Sequence, residues 1–211
     1  MVHMECFGLK IDTDSSVYEP MEDSMLAAKV VGEELETMGT GLAVLDMGCG
    51  SGVVGLSAAT SDRVDSVTLV DVNGAAVELC TRNVEANSKK LKARCEVIKS
   101  DLFEGIDEGR MFDIISFNAP YLADGAEDDL SNAWYGGQGG VEVSVEFLKQ
   151  AYMHLNRSGS IVLMASSLSD TERLYDAISQ QGFMVARDSL VHINFEDIMA
   201  LVIKKQEVIG S

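Results

Sequence analysis

Basic residues are scarce in this chain. It carries 16 Lys and Arg against 34 Asp and Glu, a formal net charge of −18 at pH 7. A protein that grips nucleic acid through a broad phosphate footprint needs those cations, so that class is disfavoured. A basic or cationic partner, or solubility alone, suits the charge better. Cysteine is sparse too. Cys6, Cys49, Cys80 and Cys95 form no CxxC pair and are scattered through helical and strand-like patterns. That argues against a zinc site or a disulfide framework and for a reducing, cytoplasmic compartment. His3, His154 and His192 show no metal spacing, and His154 is expected at the polar edge of a helix. No apolar run is long enough to span a bilayer, and the opening "MVHMECFGLKIDTDSS" lacks the basic-then-apolar pattern of a secretion signal. Linker and low-complexity compositions are missing as well. Proline occurs twice, at Pro20 and Pro120.

What is present is an ordinary globular composition, 46% apolar and 24% charged over 211 residues. That is enough for one domain, expected to span 1–211 with residues 1–16 as an extension and 17–205 as the core. Apolar residues at helical spacing predict a helix over Met21–Met38, with Asp23 or Ser24 as its cap. "LAVLDMG" then reads as a strand, Gly52–Ser61 as a small-residue helix and Ser66–Val72 as a second strand. "GAAVELCTRNVEANSKK" is helical, and "RCEVIKSDLF" and "FDIISFN" each hold a strand. After a polar, glycine-rich loop over Leu122–Gly140 come the helix "VEVSVEFLKQAYMHL", the strand "SIVLMAS" and the helix "DTERLYDAISQQG". Phe183–Lys205 reads as two strands joined near Asn194. The alternation predicts an α/β fold: a doubly wound, mostly parallel seven-stranded sheet with one antiparallel strand.

Chemistry gathers at the strand ends. "VLDMGCGSGVVGL" places Gly48, Gly50 and Gly52 between a strand and a helix, where glycine allows a sharp turn and close approach to a ligand. Dinucleotides and S-adenosylmethionine both use such loops. The spacing here is G-x-G-x-G, not G-x-G-x-x-G. Asp46, two residues before the first glycine, would repel a pyrophosphate and suit an ammonium group. Asp71, beside Val72 at the next strand end, can accept from both ribose hydroxyls of either cofactor. Asp101, after the third strand, can accept from an adenine amino group, with Leu102 or Phe103 against the ring. Cys49 reads as a small filler. "FNAPYL" ends the fourth strand. In isolation Asn, Ala and Pro there read as a turn; beside the glycine loop and the placed acids they read as the substrate end of a site.

These stretches resemble a known family. "VYEPMEDS", "VLDMGCGSGVVGL", "SDLF" with "FDIISFNAPYL", and "WYGGQGGVEV" together look like a class I S-adenosylmethionine-dependent methyltransferase. More narrowly, they resemble the HemK-like enzymes that methylate the glutamine of translation release factors, in their short archaeal and eukaryotic form. The likeness runs from roughly Tyr18 to Lys204. It implies that Tyr18 and Glu19, with Pro20, close over S-adenosylmethionine, and that Asp46, Gly48, Cys49, Gly50, Asp71, Val72, Asp101, Leu102 and Asn118 hold it. It implies that Asn118, Ala119, Pro120 and Tyr121 form the catalytic clamp. The Asn118 side-chain oxygen would accept one amide N–H and the Ala119 carbonyl the other, with Tyr121 stacked on the amide. Trp134 would flank the cleft. The family motif is usually Asn-Pro-Pro-Tyr, so Ala119 gives up a proline's rigidity while keeping a carbonyl. The resemblance also implies a small zinc-binding activator subunit as a partner. Other readings are a methyltransferase for adenine amino groups in DNA or RNA, and a non-catalytic cofactor-binding subunit.

Overall fold

The computed structural model describes residues 2–121, 140–193 and 196–207. The loop expected over Leu122–Gly140, including Trp134, therefore falls almost entirely outside the described residues, as does the join near Asn194.

Seven strands form one sheet: β3 (Leu42–Met47), β4 (Val64–Asp71), β5 (Arg94–Lys99), β6 (Phe112–Phe117), β7 (Leu155–Ser166), β8 (Phe183–Ile193) and β9 (Glu196–Lys205). Their spatial order is β5-β4-β3-β6-β7-β9-β8. β3 pairs in parallel with β4 and β6, and β6 with β7. β9 runs antiparallel to both its neighbours, the one reversed strand that the sequence predicts. The chain winds outward from β3 through β4 to β5, then returns to place β6 on the other flank of β3. That reversal opens a crevice at the carboxyl ends of β3 and β6, where open α/β sheets bind ligands.

Helices cover both faces: α1 (Glu22–Thr37), α2 (Val53–Ala59), α3 (Gly74–Asn87), α4 (Glu142–His154) and α5 (Thr171–Gln180). Strand periodicity divides the core between them. Val44, Ile114, Val162 and Val202 join the cluster containing residues of α1, α2 and α3. Their neighbours Leu45, Ile115, Ile161 and Ile203 join the cluster under α4 and α5. Among the described residues no helix is long and apolar enough to cross a membrane.

Several local readings need correction. Met21 occupies the N-cap of α1 and makes no side-chain cap bond; Asp23 is turned inward instead. His154 is buried, not at a polar edge. Its ring stacks on Phe103 with centroids 4.7 Å apart, and its Nδ1 lies 2.9 Å from the Arg110 carbonyl oxygen. β7 starts at Leu155, earlier than "SIVLMAS". The added turn-like residues are held against Asp113: Asn156 Nδ2 donates to its carboxylate at 2.6 Å, and a side chain at Gly159 would come within 2.8 Å of its carbonyl oxygen.

An antiparallel hairpin, β1 (Val2–Cys6) and β2 (Leu9–Thr13), occupies most of the N-terminal extension. Leu9 and Ile11 are buried in the core. Asn83 and Asn87, one turn apart on α3, treat β2 as a strand partner. Their side-chain oxygens accept from the Asp12 and Lys10 N–H groups at 2.9 and 3.0 Å, and their amide nitrogens donate to the same residues' carbonyls at 3.0 and 2.8 Å.

α2 sits so close to the sheet that it leaves no room for a Cβ at Gly55. At Gly55 a Cβ would lie 2.9 Å from both Asp46 Cβ and Leu69 Cδ2. Overpacking of this kind costs about 1–3 kcal/mol. Gly55→Ala is therefore expected to lower stability by about that amount in urea unfolding. Gly32→Ala, in the interior of α1 with open space around the new methyl, is expected to raise it by up to about 1 kcal/mol.

Candidate active site

The carboxyl ends of β3, β4, β5 and β6 surround a cavity of about 650 Å³. Its floor is the glycine loop. Gly48, Gly50 and Gly52 have φ of 62°, 55° and 84°, in the left-handed region that glycine alone enters freely. At Gly52 the conformation is reinforced by proximity, since a Cβ would lie 2.7 Å from Cys80 Sγ. Cys49 is buried in the loop. The neighbouring Cys80 thiol, then burial, push its own thiol well above the usual range, which makes it a poor nucleophile.

Three acids face this floor. Asp46, at the end of β3, is buried and accepts from Gly55 N–H at 2.8 Å and from the Ser116 hydroxyl at 2.9 Å. Burial pushes its pKa up to about 6 against those two bonds. Asp71 ties the loop to β4, accepting from Gly50 N–H at 2.9 Å and Asn73 N–H at 2.8 Å. Burial moves it in the same direction, opposed by those N–H groups. Asp101 is exposed at the rim beyond β5. Leu102 beside it has φ of 45°, a strained conformation for a branched side chain. Ser100 closes this turn, accepting from Gly105 N–H at 2.7 Å and donating to the Leu102 carbonyl at 3.0 Å.

The opposite wall comes from "NAPY" and the segment before α1. Asn118 Nδ2 donates to Asp23 Oδ2 at 3.0 Å and reaches Ser24 Oγ at 3.4 Å. The same Asp23 oxygen accepts from the Tyr18 hydroxyl at 2.8 Å and the Tyr121 hydroxyl at 3.1 Å. Burial, then the Asp23 charge, push both phenols far above their ordinary pKa, so both remain donors. Asn118 Oδ1 is buried and has no hydrogen-bond partner among the described residues. Ala119 is buried in the core cluster that holds Phe117 and Val141. Ser169 Oγ donates to the Tyr121 carbonyl at 3.1 Å.

Tyr18, Asp46, Gly48, Cys49, Gly50, Asp71, Val72, Asp101, Leu102 and Asn118 to Tyr121 all line this cavity. Glu19 does not; it is exposed and outside the lining. Sequence reasoning missed Asp23 and Ser24 as lining residues and reads them only as candidate caps of the helix. Four carboxylates line the cavity, from Asp23, Asp46, Asp71 and Asp101, and no Lys, Arg or His does among the described residues. Such a lining repels phosphates and favours a cation.

The raised pKa of Asp46 has a defined consequence for stability. Below about pH 4 its carboxyl is protonated in both folded and unfolded chains, and above about 6 in neither. Between these limits the folded chain holds a proton that the unfolded chain has released, so this group's contribution to stability is lost as pH rises. Asp46→Asn is expected to flatten that part of the stability profile, as followed by urea unfolding from pH 4 to pH 7.

Comparison with known proteins agrees with the fold. A family model described as the methyltransferase small domain matches residues 22–190. A Methanocaldococcus jannaschii protein provisionally named N5-glutamine methyltransferase is 28% identical over 202 residues, covering 94% of this chain and 96% of its own. A release factor glutamine methyltransferase of Rhodopirellula baltica is 31% identical over 134 residues, 59% of this chain and 45% of that protein, so the match spans under half of it. A ribosomal RNA small subunit methyltransferase C of Haemophilus influenzae is 29% identical over 146 residues, 66% of this chain and 39% of that one. Among solved structures, a ribosomal protein L11 methylase from Lactobacillus delbrueckii superposes with a TM-score of 0.68 at 18% identity, covering 93% and 86% of the two chains. A T. thermophilus 16S rRNA methyltransferase solved with AdoMet and guanosine gives 0.68 at 21% identity, covering 98% of this chain and 50% of the other. The doubly wound sheet, the glycine loop and these matches agree: the chain belongs to the methyltransferase small domain family, with HemK-like glutamine methyltransferases among its relatives.

Proposed function

We propose that this protein is an S-adenosylmethionine-dependent methyltransferase that modifies the side-chain amide nitrogen of a glutamine in a protein, a translation release factor. The observation that carries the reading is Asn118. One end of its amide is tied to Asp23, and the other, Oδ1, is a buried acceptor without a partner among the described residues. A buried unpaired acceptor is costly, and a target N–H would satisfy it.

The lining fits the cofactor. When bound, S-adenosylmethionine supplies an electrophilic methyl on a sulfonium, together with an ammonium, a ribose and an adenine. Asp46 and the glycine loop suit the amino-acid end, Asp71 the ribose hydroxyls, Asp101 and Leu102 the adenine. A cavity lined by four carboxylates and no basic side chain suits a cationic cofactor better than a pyrophosphate. In this reading the domain occupies 17–205, with the hairpin within 1–16 as its extension.

Amide nitrogen is a poor nucleophile because its lone pair is delocalised into the carbonyl. Holding it in place is therefore the main task, and positioning can supply much of a rate enhancement. Asn118 Oδ1 accepts one N–H, the Ala119 carbonyl accepts the other, and the Tyr121 ring covers the amide plane and excludes water. An adenine amino group presents the same planar donor pair, and two of the similar proteins act on ribosomal RNA by name. The net charge of −18 weighs toward a protein acceptor. The zinc-binding activator has no counterpart in the names of the relatives cited above, and this reading does not require it.

Incubation with methyl-labelled S-adenosylmethionine and either release factor, DNA or ribosomal RNA tests the assignment. Label on a glutamine of release factor is expected. Label on nucleic acid alone overturns the reading. Removing a preorganised contact to the reacting group costs on the order of 10²–10³ in rate, so Asn118→Ala is expected to lose methyl transfer by that factor.

A further inference from the structure

We propose that Asp23 is the positioning residue of the acceptor wall: its carboxylate sets which end of the Asn118 amide faces the cavity. The inference rests on the methyl-transfer reading for its consequence, while the orientation itself belongs to the resting protein.

The two ends of an asparagine amide have nearly the same shape and opposite hydrogen-bonding character. Facing the cavity, Oδ1 accepts from a target N–H; the reversed amide would offer a donor to a donor. Something must break that symmetry, and the backbone of Asn118 cannot. An ionised carboxylate can, because it only accepts. Asp23 Oδ2 lies 3.0 Å from Asn118 Nδ2. Reversing the amide would set Oδ1 against that oxygen at the same distance and leave two buried acceptors facing each other. Asp23 is only 3% exposed, so water would not relieve the clash.

Among the described residues five hydrogen bonds reach Asp23, all from neutral donors. Tyr18, Tyr121 and Asn118 reach Oδ2, while Ser24 N–H and Ser24 Oγ reach Oδ1 at 2.6 and 3.2 Å. A buried carboxylate with no cation is expensive unless its lone pairs are filled, and here they are. The charge is thus left to act along the chain from Asp23 through the Asn118 amide to the target N–H. Charge-assisted hydrogen bonds polarise one another in series, which strengthens Oδ1 as an acceptor while positive charge develops at the target nitrogen.

The same oxygen joins three segments distant in sequence. Tyr18 precedes α1, Asp23 opens α1, and Asn118 and Tyr121 follow β6, 95 and 98 residues further on. Asp23 therefore locks the segment beside the cofactor loop to the wall that holds the acceptor.

Asp23→Asn tests this with little change of shape. The new side chain carries its own donor, so Asn118 can reverse. The single-turnover rate of methyl transfer at saturating cofactor is expected to fall about 10²-fold, a larger drop than any in affinity for S-adenosylhomocysteine by calorimetry. In the Asn118→Ala background, Asp23→Asn is expected to cost little more, because it acts through a residue already removed. Losses that multiply, or a loss confined to cofactor affinity, overturn the proposal. A second arm needs no acceptor and no variant. In nitrogen-15 spectra of the unliganded wild-type chain, one Asn118 side-chain proton should exchange slowly with solvent. Equally fast exchange of both overturns the proposal whatever the variants do. If release factor proves not to be the substrate, this arm still decides the orientation, so the two ideas fail separately.

Discussion

The hydrogen bond from Gly55 N–H into the buried carboxylate of Asp46 is the contact on which this architecture turns. It fastens α2 to the end of the central strand at a separation that admits no side chain. Glycine at positions 52 and 55 is the sequence's answer to that closeness. The loop between strand and helix must then turn three times through left-handed backbone, which leaves its main chain exposed as the floor of the cavity. A larger residue at either position would push the helix away and flatten the floor with it.

The two ends of the site are built by different means. The end at the glycine loop is mostly main chain and carboxylates, each delivered by a successive strand at the point where the winding reverses. Its selectivity is that of charge, and it follows from sheet topology. The wall at Asn118 is a matter of direction. Whether an amide points its oxygen or its nitrogen into the cavity depends on a partner contributed by another segment. Ala119 fits between these two. Its small side chain sits in the core beside Phe117, at the end of a strand whose neighbours are buried on both faces, so packing takes over part of the restraint that a proline would have given.

The large features of the fold were legible because they rest on periodicity. The predicted helix over Met21–Met38 appears as Glu22–Thr37, and all seven strands of the sheet were anticipated, including the reversed one. The hairpin escaped notice although Leu9-Lys10-Ile11-Asp12 alternates clearly. Its turn is Phe7-Gly8, with Phe7 at φ of 51°, where Asn or Asp would have announced it. Asp23 escaped for a different reason. Acidic residues in the first turn suit the helix dipole, so a local explanation was sufficient, and two of its partners, Asn118 and Tyr121, lie nearly a hundred positions away. Leu102 shows the same limit: nothing in "SDLF" announces a left-handed leucine. Strand ends could be ranked from sequence, whereas side-chain direction at those ends could not.

The tie between the hairpin and α3 bears on how the molecule comes into being. A two-stranded hairpin is marginal by itself, and its docking partners Asn83 and Asn87 stand 71 and 77 residues downstream. The hairpin is thus made well before α3 exists to receive it. Asn83 also donates to the Ser51 carbonyl at 2.9 Å, so the same late event braces the glycine loop. Contacts of such long range slow folding. The brace on the glycine loop therefore forms only once α3 has been made.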